Sequence, residues 1–184
     1  MIGLLESIEP VTICDANLSD FDAILNVLTV VNHEFVPPLT EGENLRVKVL
    51  RILNDRRRGW IKAVRGERVV GLVAVIYNYR RPQLGLIETL AVLPEFRRQG
   101  IGKKLVQFAM AELFQNGMEA SLITTWETNV AALTMYEQLG FKMILRKKSE
   151  GSYFKLFFMH SFDRPARIHS SLSRFWTRQS NVFK

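Results

Sequence analysis

The stretch Leu90-Ala91-Val92-Leu93-Pro94-Glu95-Phe96-Arg97-Arg98-Gln99-Gly100-Ile101-Gly102 decides the fold of this chain. Apolar residues typical of a buried strand lead into a basic turn with two glycines, and an amphipathic helix follows directly. Gly100 and Gly102 let the backbone turn tightly and expose its N–H groups, while the helix start directs the positive end of its dipole to the same point. The sequence therefore predicts an anion site. Its flanking cations, which favour a ligand with several phosphates, are Arg97, Arg98, Lys103 and Lys104.

Two other phosphate-binding loops are excluded by the residues at fixed positions. A Walker loop that ended at Gly102 and Lys103 would need glycine at Arg97 and Ser or Thr at Lys104. The dinucleotide-binding fingerprint would need a small residue at Leu105, whose bulk would keep helix and strand apart. The turn is therefore not expected to serve nucleoside triphosphate hydrolysis or dinucleotide binding.

A strand, then Arg97-x-x-Gly100-x-Gly102, then an amphipathic helix is the pattern by which the GNAT superfamily of N-acetyltransferases is recognised, and this chain resembles that superfamily. A second segment, Asn129-x-x-Ala132-x-x-x-Tyr136-x-x-x-Gly140-Phe141, resembles the other half of that family's cofactor site. The resemblance is best over residues 69–158. It implies an α/β (α+β) fold: a mixed central sheet of about six or seven strands, flanked by about four helices, with two splayed central parallel strands.

Length and composition are those of one globular domain. The 184 residues are 47% hydrophobic and 23% charged, which is ordinary for a globular protein with a substantial core. We expect an N-terminal extension over residues 1–10, an acetyltransferase domain over 11–162 and a basic tail over 163–184. The sequence contains no apolar run long enough to cross a bilayer and no basic region typical of a signal peptide, so we expect a cytoplasmic protein without membrane attachment.

The net charge of +7 has two interpretations. It suits attraction to a polyanionic cofactor. Nucleic acid is the alternative, because Arg56-Arg57-Arg58 and the tail from Arg164 to Lys184 could contact phosphates, but neither forms a recognisable nucleic-acid-binding module. A nucleic-acid partner is therefore not expected. No metal is predicted either, because the three histidines lack metal-ligand spacing.

Hydrophobic periodicity and turn residues predict the element order β α α β β β α β α β β, which is the order of the GNAT fold. The predicted strands cover residues 11–14, 60–64, 69–77, 84–92, 120–125, 141–148 and 153–162, and the predicted helices cover 20–31, 44–54, 100–115 and 130–139. Ser19-x-x-Asp22 at the start of the first helix resembles a capping box. The strand over 120–125 is expected to run parallel to that over 84–92.

The resemblance implies acetyl-coenzyme A as co-substrate, with its pantetheine arm between the two splayed strands. The backbone of Leu90 to Val92 would then face the pantetheine, and the pyrophosphate would lie on the N–H groups of residues 99–103. The N–H of Leu90 or Val92 would also polarise the thioester carbonyl. The cofactor-binding residues predicted in this way are Leu90, Ala91, Val92, Arg97, Arg98, Gln99, Gly100, Ile101, Gly102, Lys103, Asn129, Ala132 and Tyr136.

Transfer of an acetyl group to an amine needs a route for the amine proton and a proton for the departing thiolate. The resemblance implies Glu88 as the base and Tyr136 as the acid. A solvated or ion-paired carboxylate is the alternative for Glu88, and a core tyrosine with a satisfied hydroxyl is the alternative for Tyr136. Asn129, Ala132 and Tyr136 share one helix face. The family implies that Asn129 bonds the pantetheine and that Ala132 leaves room for it.

The implied function is an acetyl-coenzyme A-dependent N-acetyltransferase that acts on a primary amine of a small molecule, peptide or protein. Its acceptor contacts are predicted at Glu34, Phe35, Tyr77 and Tyr79, because the segment between the first two helices borders the acceptor pocket in this fold. GNAT proteins often dimerise through their C-terminal strands, so a homodimer fits the resemblance. The alternative function is a non-catalytic domain that binds acyl-coenzyme A to regulate a partner.

Overall fold

The computed structural model describes residues 9–35, 38–39, 44–148 and 154–162. Within these ranges the strands are β1 (Val11–Asp15), β2 (Arg58–Arg65), β3 (Arg68–Ile76), β4 (Leu84–Val92), β5 (Ala120–Trp126), β6 (Lys142–Lys148) and β7 (Phe154–Ser161). The helices are α1 (Phe21–Val31), α2 (Leu45–Asn54), α3 (Ile101–Gln115) and α4 (Val130–Gln138). The predicted element order is confirmed. The predicted basic tail lies outside the described residues.

The strands form one mixed sheet in the order β1-β2-β3-β4-β5-β7-β6. Among the described strands only β4 and β5 pair in parallel, because α3 crosses over between them. Helices α1 and α2 cover one face of the sheet, and α3 and α4 pack on the other. This is the architecture that the resemblance predicts.

Both faces of the central strands are buried. Every residue of β3 after Arg68 is buried, which explains its uninterrupted apolar sequence. In β4 the side chain of Ile87 packs with α3 and α4, whereas that of Leu86 points to the opposite face of the sheet. No helix in the described ranges is both long and apolar enough to span a bilayer.

The short helical turn Leu18–Asp20 that leads into α1 is capped by Asn17, so the capping box predicted at Ser19 and Asp22 is wrong. The Asn17 side chain accepts from the Ser19 N–H at 2.8 Å, and the Asp20 carboxylate accepts from the Asn17 N–H at 2.9 Å. Asp20 also accepts from the Lys62 ammonium at 2.6 Å, which joins the start of α1 to β2. Burial raises the pKa of Asp20, but Lys62 and the Asn17 N–H outweigh it and hold the pKa below its ordinary value.

Candidate functional site

The parallel strands β4 and β5 diverge halfway along their length. Their pairing ends at Ile87 and Ile123, although β4 continues to Val92 and β5 to Trp126. The diverging part of β4 stays paired with β3 on its other side. A gap therefore opens between the carboxyl-terminal halves of the two parallel strands.

A β-bulge shapes β4 where this gap begins. β4 advances by three residues, from Glu88 to Ala91, where β3 advances by two. Thr89 within the bulge has φ of +53°, which is an outlier for a β-branched residue. Such conformations persist only where the surrounding structure holds them, and they cluster at functional sites.

The backbone of Val92 is directed into the gap. The N–H of Leu93 donates to the Val70 carbonyl at 2.9 Å. Gly71 and Val92 therefore form a non-hydrogen-bonded pair, and the N–H and C=O groups of Val92 point away from β3. The Val92 carbonyl accepts instead from Arg97 Nε at 2.9 Å. The Val92 N–H thus points away from β3 and into the gap between β4 and β5.

The turn between β4 and α3 is open above its backbone. Gly100 has φ of +76°, and a Cβ added there would have no heavy atom within 4 Å. Arg98 also has a positive φ, of +62°. No side chain caps α3, so its first N–H groups and the positive end of its dipole are presented to this open space. The turn over residues 97–102, called the phosphate turn below, has the geometry of an anion site.

The Arg97 side chain links the phosphate turn to the end of α1. Its guanidinium donates to the Glu34 carboxylate at 2.8 Å as well as to the Val92 carbonyl. Glu34 lies in the short helical turn Asn32–Glu34 that follows α1. Of the other cations around the phosphate turn, Arg98 and Lys104 are exposed.

Side chains of the β2–β3 hairpin hold the phosphate turn from outside. The guanidinium carbons of Arg65 and Arg68 each lie 5.2 Å from the centre of the Phe96 ring, which is within cation–π range. Arg65 donates to Gln99 Oε1 at 2.7 Å, and Arg68 donates to Glu95 Oε1 at 2.7 Å. The Gln99 side chain therefore binds Arg65, and the group of Gln99 that can bind an anion is its backbone N–H.

Helix α4 brings the second sequence motif to the same place. A Cβ added at Gly102 would lie 3.9 Å from Met135 of α4 and 3.9 Å from two side chains of β4. Asn129 caps α4, because its side-chain oxygen accepts from the Ala132 N–H at 3.2 Å. Ala132 is buried on the face that packs with α3. The two motifs, about thirty residues apart in the sequence, therefore meet above β4.

Tyr136 is buried in α4, with 4% of its surface exposed. Its ring centre lies 6.0 Å from that of Phe141 and 5.9 Å from that of Phe158. Among the described residues its hydroxyl makes no hydrogen bond. Burial raises the pKa of Tyr136, so the hydroxyl stays protonated at neutral pH.

Glu88 forms an ion pair that the sequence does not reveal. Arg58 Nη1 donates to Glu88 Oε1 at 3.2 Å, and Arg58 Nε donates to Asp55 Oδ2 at 3.2 Å. About a third of the Glu88 side chain stays exposed. Arg58 belongs to the basic run considered above as a phosphate contact, and here it binds carboxylates. Its partner is thirty residues away, so only the register of β2, β3 and β4 brings the two together.

The four predicted acceptor contacts do not lie together. Glu34 is beside the phosphate turn, and Phe35 packs in the cluster around α1 and α2. Tyr77 donates to Glu112 of α3 at 2.9 Å, on the opposite face of the sheet. Tyr79 lies beside the first residue of β4, about 26 Å along the strand from Val92 at ~3.3 Å per residue. The geometry thus brings only Glu34 and Phe35 to the open end of β4.

Comparison with known proteins gives the same fold. N-alpha-acetyltransferase 30 of Xenopus laevis is 35% identical over 81 residues, which are 43% of this chain and 30% of that protein. The match thus spans less than a third of that relative. The structure of ribosomal-protein-S18-alanine N-acetyltransferase from Escherichia coli has a TM-score of 0.70 at 18% identity and covers 86% of this chain and 98% of that chain.

A second solved structure is that of a putative streptothricin acetyltransferase from Bacillus anthracis str. Ames in complex with acetyl coenzyme A. It has a TM-score of 0.57 at 21% identity and covers 62% of this chain and 68% of that chain. The sequence also matches a model of the acetyltransferase (GNAT) family over residues 25–141, well over half of its length. With the splayed strands, the phosphate turn and the α4 motif all in place, this match shows that the chain belongs to the GNAT family of acetyltransferases.

Proposed function

We propose that this protein transfers an acetyl group from acetyl-coenzyme A directly to a primary amine. The observation that carries the proposal is the gap between β4 and β5, which opens directly beside the phosphate turn. The complex of the Bacillus anthracis neighbour with acetyl coenzyme A supports the choice of donor. When bound, acetyl-coenzyme A supplies a thioester carbon that an amine can attack.

Different segments of this chain would bind different parts of acetyl-coenzyme A. The N–H groups of residues 99–103 would donate to the diphosphate, with Arg98 and Lys103 adding positive charge. The backbone of Leu90 to Val92 would hold the pantetheine, and an N–H of the same segment would polarise the thioester carbonyl. Asn129 would contact the pantetheine from the start of α4. Because these donors are fixed by the sheet and helices, they need little rearrangement on binding.

Two side chains would move protons. As the N–C bond forms and the C–S bond breaks, Tyr136 would donate its hydroxyl proton to the departing sulfur, and the proton that the nitrogen loses after attack would return through water to the tyrosinate. Glu88 would take the proton of the incoming ammonium, directly or through water. At the start of the gap Glu88 pairs with the Arg58 guanidinium, an interaction made by the carboxylate form that a base requires.

The role of Glu88 gives a pH-dependent prediction. A peptide amine with a pKa of about 8 is mostly protonated at pH 7 and arrives neutral above pH 9. We expect Glu88→Gln to lower kcat/KM about ten-fold at pH 7, because about a tenth of the amine is neutral there, and expect this deficit to shrink as the pH rises past 8. Asp55→Asn is the matched control, because it removes the other partner of Arg58 and leaves Glu88 in place. A deficit of equal size at every pH, or one shared by Asp55→Asn, would show that Glu88 only maintains structure.

The function itself is tested by measuring free thiol release from acetyl-coenzyme A with a panel of small-molecule and peptide amines. We expect amine-dependent release and a mass increase of one acetyl group on the acceptor. Tight binding of acetyl-coenzyme A without turnover on any amine would instead favour the regulatory, non-catalytic alternative.

A further inference from the structure

The strands on one side of the gap carry many basic residues. Strands β5, β7 and β6 lie beyond the gap, and β6 is the edge strand at that end of the strand order. None of the three contains an acidic residue. Their lysines and arginine are Lys142, Arg146, Lys147, Lys148 and Lys155. Lysines on an edge strand prevent it from pairing with other chains. Protection of the edge does not, however, explain why some of these cations lie on the same face of the sheet as Glu88.

Three of these cations, Lys142, Lys147 and Lys155, share the face of Glu88, and Lys147 and Lys155 lie at the end of the sheet where the gap opens. Side chains directly opposite each other on paired strands lie on one face, and the faces alternate along each strand. Lys155 of β7 is opposite both Trp126 of β5 and Lys147 of β6. Residues 86 and 122 are likewise opposite each other, which places Trp126 on the same face as Glu88. Trp126, Lys155 and Lys147 therefore form a row, called the basic row below, across the end of the sheet where the gap opens.

The arginine of these strands is engaged on the opposite face. Arg146 is bound by both carboxylate oxygens of Glu127, each at 3.0 Å, and its guanidinium carbon lies 3.4 Å from the centre of the Phe154 ring. The Lys155 ammonium of the basic row lies 5.6 Å from the centre of the Trp126 ring. An aromatic ring holds an ammonium in place without neutralising its charge, so Lys155 remains a cation that can attract an anion.

The face of the sheet that carries Glu88 has carboxylates beside the gap and lysines farther from it. Carboxylates of Glu34 and Glu88 lie beside the gap, where the amine would enter. The two cations of the basic row lie beyond β5. Paired strands are spaced by about 4.8 Å, so Lys155 and Lys147 lie on strands about 5 and 10 Å beyond β5, and the width of the gap adds to their distance from an amine that enters there. A ligand with an amine at one end, directed to Glu88, and an acid farther along, directed to the basic row, would match both regions.

We propose that the acceptor is the N-terminal segment of a peptide or protein with Asp or Glu at its fourth or fifth residue. An extended peptide rises about 3.3 Å per residue, so carboxylates at these positions lie about 10 to 13 Å from the amine. The proposal rests on the proposed function, because it assumes that the amine enters at the gap. It assigns the basic row to recognition of the acceptor and leaves the cofactor to the phosphate turn.

Binding tests this proposal without turnover. Eight-residue peptides that begin with Ala, Ser or Met, with either Asp-Asp or Asn-Asn at residues 4 and 5 and a C-terminal fluorophore, are titrated with the protein in the presence of coenzyme A. We expect the acidic peptides to bind about ten-fold more tightly at low salt. Lys155→Gln and Lys147→Gln should each reduce this preference about three-fold, and the double variant should abolish it.

Lys142→Gln is the matched control, because it removes an exposed lysine of the same strand at the opposite end of β6. It should keep the full preference, and Lys155→Arg should restore most of it. Equal binding of acidic and amide peptides, or a preference that survives in the double variant, would overturn the proposal. A loss of coenzyme A affinity in the double variant would also overturn it, because the basic row would then bind the cofactor. Tighter binding of single-stranded RNA than of any acidic peptide would overturn it as well.

Acetylation of the same peptides, measured by mass spectrometry, shows whether the proposed function or the assignment of the basic row is wrong. A charge preference in binding with no acetyl transfer to any peptide would contradict the proposed function while supporting the surface. Transfer at equal rates to acidic and amide peptides would support the function and overturn the assignment of the basic row.

Discussion

Tyr136→Phe is expected to lower kcat about 100-fold and to change the Kd of acetyl-coenzyme A less than about two-fold. The substitution removes one oxygen and keeps the ring, so the contacts with Phe141 and Phe158 remain. Because the hydroxyl has no partner within the described part of the chain, its loss should leave the melting temperature nearly unchanged. A group that acts only as the C–S bond breaks affects turnover and not ground-state binding.

Tyr77→Phe is the matched control for this result. Tyr77 is partly buried, whereas Tyr136 is fully buried. The Tyr77 hydroxyl donates to Glu112 at 2.9 Å, and burial raises its pKa as well. Loss of this hydrogen bond should lower the free energy of unfolding by about 1 kcal/mol and leave turnover intact. Stopped-flow thiol release, cofactor titration and thermal unfolding measure the three quantities. Equal losses of kcat and cofactor affinity in Tyr136→Phe would refute its role as proton donor.

Gly100→Ala is expected to weaken coenzyme A binding at least about ten-fold, the second large effect. The added Cβ meets no protein atom within 4 Å, so it projects into the space that the diphosphate would occupy. The φ of +76° also penalises any L side chain by about 1 to 2 kcal/mol. The substitution therefore combines a blocked anion site with a modest loss of fold stability.

Gly117→Ala separates these two effects. Gly117 follows α3 at its other end and has φ of +83°, and a Cβ added there would likewise have no heavy atom within 4 Å. Both variants should lose similar stability in urea unfolding, but only Gly100→Ala should lose affinity for coenzyme A in a calorimetric titration. The same loss of affinity in both variants would mean that destabilisation, and not the anion site, limits binding.

Local patterns are sufficient to predict the elements that frame the site. The bounds of β4 agree with the predicted residues 84–92, because Pro94 and the glycines of the turn end an apolar run sharply. Helices α3 and α4 also start within a residue of their predicted positions. Their periodicity and caps are encoded by neighbouring residues, which a sequence displays directly.

Features that depend on contacts between distant residues cannot be read from local patterns. The positive φ of Thr89 goes against the preference of its own side chain, so no local signal predicts the bulge. The pairs Arg58–Glu88 and Arg97–Glu34 join elements 30 and 63 residues apart. The sequence offers Tyr77 and Tyr79 as acceptor contacts, whereas the strand direction puts both residues at the other end of β4.

The proposed mechanism depends most on the backbone N–H groups of residues 99–103, which would bind the diphosphate of acetyl-coenzyme A beside the gap. Amide proton and nitrogen shifts of isotope-labelled protein, followed during titration with coenzyme A, test this contact most directly. We expect saturable shifts that are largest at residues 99–103, with a second group at Leu90 and Val92 and little change at Gly66 and Gly117. Binding that leaves residues 99–103 unshifted, or no binding at all by folded protein, would contradict the mechanism.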